Sequence, residues 1–124
     1  MKRINIFIQP SFFAPLVVLI LLFSCIKPIE KPESLELLRQ PYLQNAFKDS
    51  ISILWNTSSG KSSYVKYGDS NDLGKEAQGT VLLDSAIVRN TVTLKGLERG
   101  KKYYYAIYTD KTLLASGEHY NFVT

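Results

Sequence analysis

From Leu35 onward, short stretches of alternating apolar and polar residues recur about every ten residues, with turn residues between them. A period of two is typical of strands that bury one face, and regularly spaced short strands are typical of a sandwich. No stretch of residues 35–124 shows the 3.6-residue period of a helix. The pattern predicts an all-β fold with seven strands, at residues 35–44, 50–56, 62–68, 78–84, 88–94, 101–110 and 118–124.

The charge pattern argues against one class of partner. The chain has 15 Lys and Arg against 11 Asp and Glu, and two of the basic residues, Lys2 and Arg3, lie at the N-terminus. The other basic residues are scattered, with Lys101-Lys102 the only adjacent pair. A nucleic-acid-binding face needs clustered positive charge. We therefore expect no nucleic-acid partner.

The first 24 residues have the pattern of a secretory signal peptide. Lys2 and Arg3 supply the positive charge, and residues 14–23 form an apolar block interrupted only by Pro15. A block of this length suits the apolar region of a signal peptide, whereas a membrane-spanning helix needs about 20 apolar residues. We predict that residues 1–24 are a signal peptide.

The single cysteine of the chain, Cys25, follows this block directly. Leu22-Phe23-Ser24-Cys25 resembles the bacterial lipobox, which implies that Cys25 carries a diacylglycerol group and anchors the protein in the bacterial cell envelope, at the outer membrane or the periplasmic face. Two acyl chains anchor stably where one is marginal. An uncleaved signal anchor and an ordinary free cysteine remain the alternatives. Pro28, Pro32 and alternating Lys and Glu predict that residues 25–34 are a solvated tether.

A more specific signal lies between Leu94 and Tyr105, where two leucines and two glycines precede an aromatic strand. This segment resembles the connection that carries the tyrosine corner of fibronectin type III domains, which implies that the Tyr103 hydroxyl bonds back to the backbone near the preceding leucine. Trp55 matches the tryptophan that these domains bury between their sheets. For residues 35–124 we predict a seven-stranded fibronectin type III or Ig-like Greek-key sandwich. Its expected structural residues are Trp55, Leu94, Leu97 and Tyr103.

Three further runs, Leu38–Gln44, Asp49–Trp55 and Tyr64–Gly68, resemble the N-terminal module of purple acid phosphatases and related bacterial metallophosphoesterases. In that family an Arg-x-Pro-Tyr-Leu-Gln run opens the module, and a Val-x-Tyr-Gly strand follows the tryptophan strand. The resemblance implies a module that precedes a catalytic domain with two metal ions and packs against it. The expected role of this chain is then to position or stabilise such a domain.

The metal-binding motifs of that catalytic domain do not appear as a set. Two metal ions about 3.5–4 Å apart need several Asp, His and Asn ligands, and the chain has one histidine, His119. We also find no glycine-rich phosphate loop and no nucleophile elbow. We expect no cofactor, no metal and no catalytic residue, hence a non-catalytic accessory module. The alternative is a free-standing envelope lipoprotein that binds a protein or a glycan.

Strand parity indicates a surface that a partner could use. If Tyr103 faces the core, alternate side chains of that strand and its neighbours face solvent. The candidate docking face consists of Tyr64, Tyr104, Tyr108 and His119. Exposed aromatics offer a large contact area at low entropy cost, which favours docking to a catalytic domain or another protein, and sugars also stack on them. Ordinary cross-strand pairing that only stabilises the sheet is the remaining interpretation.

Overall fold

In the computed structural model, which describes residues 33–124, the alternating segments form nine strands in two antiparallel sheets. The strands are β1 (Leu37–Gln44), β2 (Ile51–Thr57), β3 (Ser63–Gly68), β4 (Lys75–Gln78), β5 (Thr80–Asp84), β6 (Ile87–Leu94), β7 (Lys102–Thr109), β8 (Thr112–Ala115) and β9 (Asn121–Val123). The first sheet has the order β1-β2-β6-β5, and the second has the order β4-β3-β7-β8, with β9 also paired to β7. The all-β sandwich is confirmed.

Three of the sequence predictions concern residues that precede the sandwich. The signal peptide, Cys25 and most of the tether lie outside the described residues. None of the residues from 33 onward belongs to a helix that is long and apolar enough to cross a membrane.

The number of strands differs from the predicted seven for two local reasons. Residues 78–84 do not form one strand, because the chain changes sheets at Gly79: β4 pairs with β3, whereas β5 pairs with β6. The hairpin from β7 to β8 turns at Asp110 and Lys111, with φ of 47° and 66°, so it lacks the glycine that usually marks a left-handed turn in a sequence. The sequence predicts a single strand after β7, at residues 118–124. After β7 the structure instead has two short strands, β8 and β9, which pair with opposite halves of β7.

The core lies between the two sheets and is built from the inward-facing side chains. Along β6, for example, buried and exposed residues alternate from Val88 to Leu94. The buried cluster consists of Ile51, Ile53, Trp55, Val65, Tyr67, Val92, Leu94, Leu97, Tyr103, Tyr105, Ile107, Ala115 and Phe122. Burial of apolar surface stabilises this packing by about 25 cal/mol per Å². Because side chains alternate along each strand, the choice of buried residues also determines which side chains lie on the two outer faces.

Strand β1 lies at the edge of the first sheet and is irregular. Its register against β2 shifts between Leu37 and Arg39 and again between Arg39 and Tyr42. Pro41 falls within the second shift, where its missing N–H does not interrupt a regular ladder. The predicted edge position is confirmed, whereas the strand is continuous through Pro41 and only its register against β2 shifts there.

The sandwich has a proximal end, where the described chain begins, and a distal end, where Thr124 lies. At the proximal end the Glu36 N–H donates to Ser58 Oγ at 2.9 Å, and the Ser58 N–H donates to the Glu36 carbonyl at 3.0 Å. At the distal end the Thr124 N–H donates to the Lys101 carbonyl at 3.1 Å, and the Gly100 N–H donates to the Thr124 carbonyl at 3.0 Å. Since the seven-residue strand β2 runs from one end to the other, the two ends are about 20 Å apart.

Candidate docking surfaces

The loop between β6 and β7 is fixed by Tyr103, at the start of β7. Its hydroxyl accepts a hydrogen bond from the Glu98 N–H at 2.9 Å, and its ring lies 5.6 Å from the Phe122 ring, centroid to centroid. Leu94 is completely buried and Leu97 is 5% exposed. The geometry is that of a tyrosine side chain tying a crossover loop to its own strand. The Tyr103 hydroxyl therefore holds the loop to β7, and Leu94 and Leu97 are buried beside it.

Trp55 is fully buried and links the two sheets through a polar network. Its indole Nε1–H donates to Thr109 Oγ1 at 2.9 Å, and Thr109 lies on β7 of the opposite sheet. The Thr109 hydroxyl donates to Asn90 Oδ1 at 3.1 Å, and the Asn90 amide donates to Thr57 Oγ1 at 3.0 Å. Every buried side-chain nitrogen and oxygen of the described chain has a hydrogen-bond partner. The network is therefore a satisfied cross-link, with no free donor or acceptor for a ligand.

Sequence reasoning found Trp55 but missed its polar partners. A usable signal was present, since Asn90 occupies the inward position between Val88 and Val92 on β6. Thr57 and Thr109 likewise end the inward rows of β2 and β7. Three polar residues at inward positions near the same end of neighbouring strands indicate a buried network, because unpaired polar groups are rarely buried.

Three of the four predicted docking residues lie on the outer face of the second sheet. Tyr64 and Tyr108 are direct cross-strand partners, and their rings stack with centroids 4.6 Å apart and planes 7° from parallel. The Lys66 Nζ lies 5.3 Å from the Tyr108 ring centroid, and the Lys102 Nζ lies 5.2 Å from that of Tyr104. Each ring thus already contacts a neighbouring aromatic or cation of the same chain.

A groove of about 290 Å³ runs along this face, with both Tyr104 and Tyr108 in its lining. Ala106, which is 1% exposed, lies between these two tyrosines on β7, and Leu113 of β8 lines the groove and is 49% exposed. His119 lies in an exposed turn that precedes β9, not on the last strand as the sequence predicts. We call the surface of Tyr64, Lys66, Tyr104, Tyr108 and Leu113 the tyrosine face.

The run that opens with Arg39 has two observed contacts. The Arg39 guanidinium lies 4.1 Å from the Tyr42 ring centroid on the outer face of the first sheet. The Tyr120 hydroxyl donates to Gln40 Oε1 at 3.0 Å, which joins the edge of the first sheet to the segment before β9. This run therefore closes one side of the sandwich.

Within residues 33–124, no three His, Cys, Asp or Glu side chains lie close enough together to hold a metal ion. The carboxylate of Asp69 instead lies 3.0 Å from the Lys101 Nζ, whose hydrogen bond and charge lower the pKa of Asp69 below its usual value. The same Nζ lies 3.3 Å from Glu98 Oε2, and the bonds to both carboxylates raise the pKa of Lys101. A ligand set for two metal ions therefore has no counterpart in the described part of the chain.

Comparison with known families identifies a family that this chain matches. The family described as "Purple acid Phosphatase, N-terminal domain" matches residues 39–124. The matched region begins within β1 and includes β2 to β9, so it covers almost the whole sandwich. A search of curated proteins finds no significant match.

Proposed function

This chain belongs to the family of purple acid phosphatase N-terminal domains, and we propose that its sandwich is a non-catalytic accessory module of a membrane-anchored phosphoesterase. The observation that carries the proposal is the match itself, which extends over nearly all of the described fold. The catalytic metal ions belong, in this proposal, to a partner domain that the sandwich positions or stabilises. A lipid on Cys25 places the assembly in the bacterial cell envelope.

The tyrosine face supplies the docking surface in this proposal. Leu113 leaves about half of its side chain exposed beside the groove, and a protein partner gains contact area there without ordering long side chains. A sugar needs a free ring face for stacking, and Tyr108 already contacts both Tyr64 and Lys66. The contacts therefore favour a protein partner over a glycan.

Catalysis and docking are tested separately with purified protein. With Fe, Zn or Mn ions added, we expect the chain to hydrolyse an aryl phosphate no faster than the ions alone. Added to the metallophosphoesterase domain encoded nearest its gene, it should raise the melting temperature of that domain. Turnover by the chain would contradict the non-catalytic role. Binding to glycans but not to that domain would support the alternative, a free-standing envelope lipoprotein.

A matched pair of variants tests the docking surface. Leu113→Asp places a charge on the tyrosine face, where Leu113 is 49% exposed. The control, Leu38→Asp, places a charge on β1 of the other sheet, where Leu38 is 51% exposed. We expect Leu113→Asp to weaken binding of the catalytic domain at least about tenfold, the cost of an unpaired charge in an interface. Leu38→Asp should bind normally. Equal binding of the catalytic domain by both variants would show that the tyrosine face is not the docking surface.

A further inference from the structure

The hairpin between β5 and β6 carries an exposed apolar tip. Leu82 is 62% exposed, Leu83 is 71% exposed and Ile87 is 40% exposed. Ser85 turns the chain with φ of 59°, and it is followed by the exposed Ala86. We call Leu82–Ile87 the hairpin tip. Leu82 and Leu83 are consecutive residues of β5 and face opposite sides of the sheet, so apolar side chains are exposed on both sides of this hairpin. Several exposed apolar side chains on one hairpin are typical of a contact surface, whereas single exposed leucines are ordinary.

The hairpin tip lies where the described chain begins. Glu33, the first described residue, lines a groove of about 760 Å³ together with Leu83, Ser85 and Ala86. Only seven residues lie between Cys25 and Glu33, so the eight residue-to-residue steps span at most about 29 Å even when fully extended. A lipid on Cys25 would therefore hold this end of the sandwich within that distance of the bilayer.

Two carboxylates near the hairpin tip have partners within the protein. Asp84, the one carboxylate of the tip, lies 2.6 Å from the Arg89 guanidinium. At the same end, the Asp110 carboxylate accepts hydrogen bonds from the Lys61 and Ser62 backbone N–H groups at 2.9 and 3.0 Å. Both carboxylates are thus neutralised or hydrogen-bonded within the protein. Contact with a lipid surface would leave neither of them without a partner.

We propose that the hairpin tip contacts the boundary between headgroups and acyl chains of the bilayer in which Cys25 is anchored. The module then stands with its proximal end on the membrane and its distal end away from it. This inference rests on the lipid anchor of the proposed function. The occupant is a bilayer because, with a lipid on Cys25, the short tether keeps this end of the sandwich beside the bilayer.

Two tryptophan variants of the lipidated protein test the contact. Leu83→Trp places a probe on the hairpin tip, and Phe47→Trp places one on the loop between β1 and β2 at the distal end, with exposures of 71% and 70% before substitution. The native Trp55 is completely buried and gives the same background in both. The variants are reconstituted into phosphatidylcholine vesicles with and without brominated acyl chains.

We expect the Leu83→Trp emission to shift to the blue and to lose at least about half its intensity in brominated vesicles, since interfacial side chains lie about 5–10 Å deep. The Phe47→Trp emission should not change. Quenching of neither probe, or of both probes, would overturn the inference. The distal probe also serves as a control for a tryptophan that enters the bilayer because of its own affinity for the interface.

Failure of the anchor and failure of the contact give different results. The mass of the N-terminal peptide shows whether Cys25 carries diacylglycerol. If it does not, the anchor is wrong, and the Cys25 thiol is coupled to a maleimide lipid in the same vesicles, which imposes the same tether. Since Cys25 is the only cysteine, the coupling is unique. Loss of the contrast between the two probes under that coupling overturns the contact itself.

Discussion

At the scale of single residues, the most consequential group is the network around Thr109. Its hydroxyl accepts from Trp55 Nε1 and donates to Asn90 Oδ1, and all three side chains have no exposed surface. Thr109→Val keeps the shape and leaves both buried partners unsatisfied, so we expect the free energy of unfolding to fall by about 2–4 kcal/mol. Thr93→Val, which removes a single part-buried hydrogen bond to Ser52, should cost about 1 kcal/mol. Urea unfolding followed by circular dichroism measures the free energy of unfolding of both variants. Equal losses in the two variants would show that the buried network stabilises the protein no more than the Ser52–Thr93 hydrogen bond does.

Tyr105 gives the protein a specific alkaline sensitivity. Burial raises the pKa of Tyr105 to about 12, so the folded state keeps this proton to a higher pH than the unfolded state does. Between about pH 10 and pH 12 the folded state binds more protons, and the free energy of unfolding falls as the pH rises, by up to about 2 kcal/mol. Tyr105→Phe should show a shallower decline over that window, and Tyr104→Phe, on the outer face, should decline as the unmodified chain does. If the free energy of unfolding declined equally with pH in all three proteins, Tyr105 would not be the cause of the alkaline sensitivity.

At the scale of elements, Gly79 decides how the chain changes sheets between β4 and β5. A Cβ at Gly79 would overlap the Thr91 carbonyl oxygen and the Val92 side chain and would lie 3.0 Å from Ser63 Oγ. Gly79→Ala must move backbone, so we expect a loss of at least about 2 kcal/mol in the free energy of unfolding. A Cβ at Gly74 would meet nothing within 4 Å, so Gly74→Ala should be neutral or stabilise by up to about 1 kcal/mol. Thermal unfolding of the two variants checks this, and a stable Gly79→Ala protein would contradict it.

The same elements show what sequence can predict here. Trp55 and Tyr103 are predictable because strand parity and a short local motif determine their burial. Gly79 and Gly74 look alike in the sequence, since both are isolated glycines. The difference between them arises from Thr91 and Val92, which approach Gly79 only after β6 has paired with β5. The tyrosine face is predictable to the extent that parity sets it, whereas the stacking of Tyr108 with Tyr64 depends on the register of β3 against β7.

At the scale of the whole molecule, the arrangement of the two ends connects the proposals. The described chain begins beside Ser58 at the proximal end, and Thr124 is held by Gly100 and Lys101 at the distal end. The exposed apolar residues of the hairpin tip lie at the proximal end with Glu33. A membrane contact there leaves the distal end, and the tyrosine face along the side, open to a partner domain. In these two proposals, anchoring and docking use different surfaces, so variants can test each one independently.

Tether length is the variable that couples the anchor to the membrane contact. Inserting 16 Gly and Ser residues after Pro32 extends the connection from Cys25 to Glu33 about threefold, from 8 to 24 residue-to-residue steps. The effective concentration of the hairpin tip at the bilayer should then fall about fivefold. Quenching of the Leu83→Trp probe by brominated lipids should fall with it, because the apolar tip is small and binds weakly without the tether. The same 16 residues added after Thr124 should leave the quenching unchanged. Undiminished quenching with the longer tether would mean that the hairpin tip holds the bilayer by its own affinity, and the anchor would then serve only to keep the protein in the envelope.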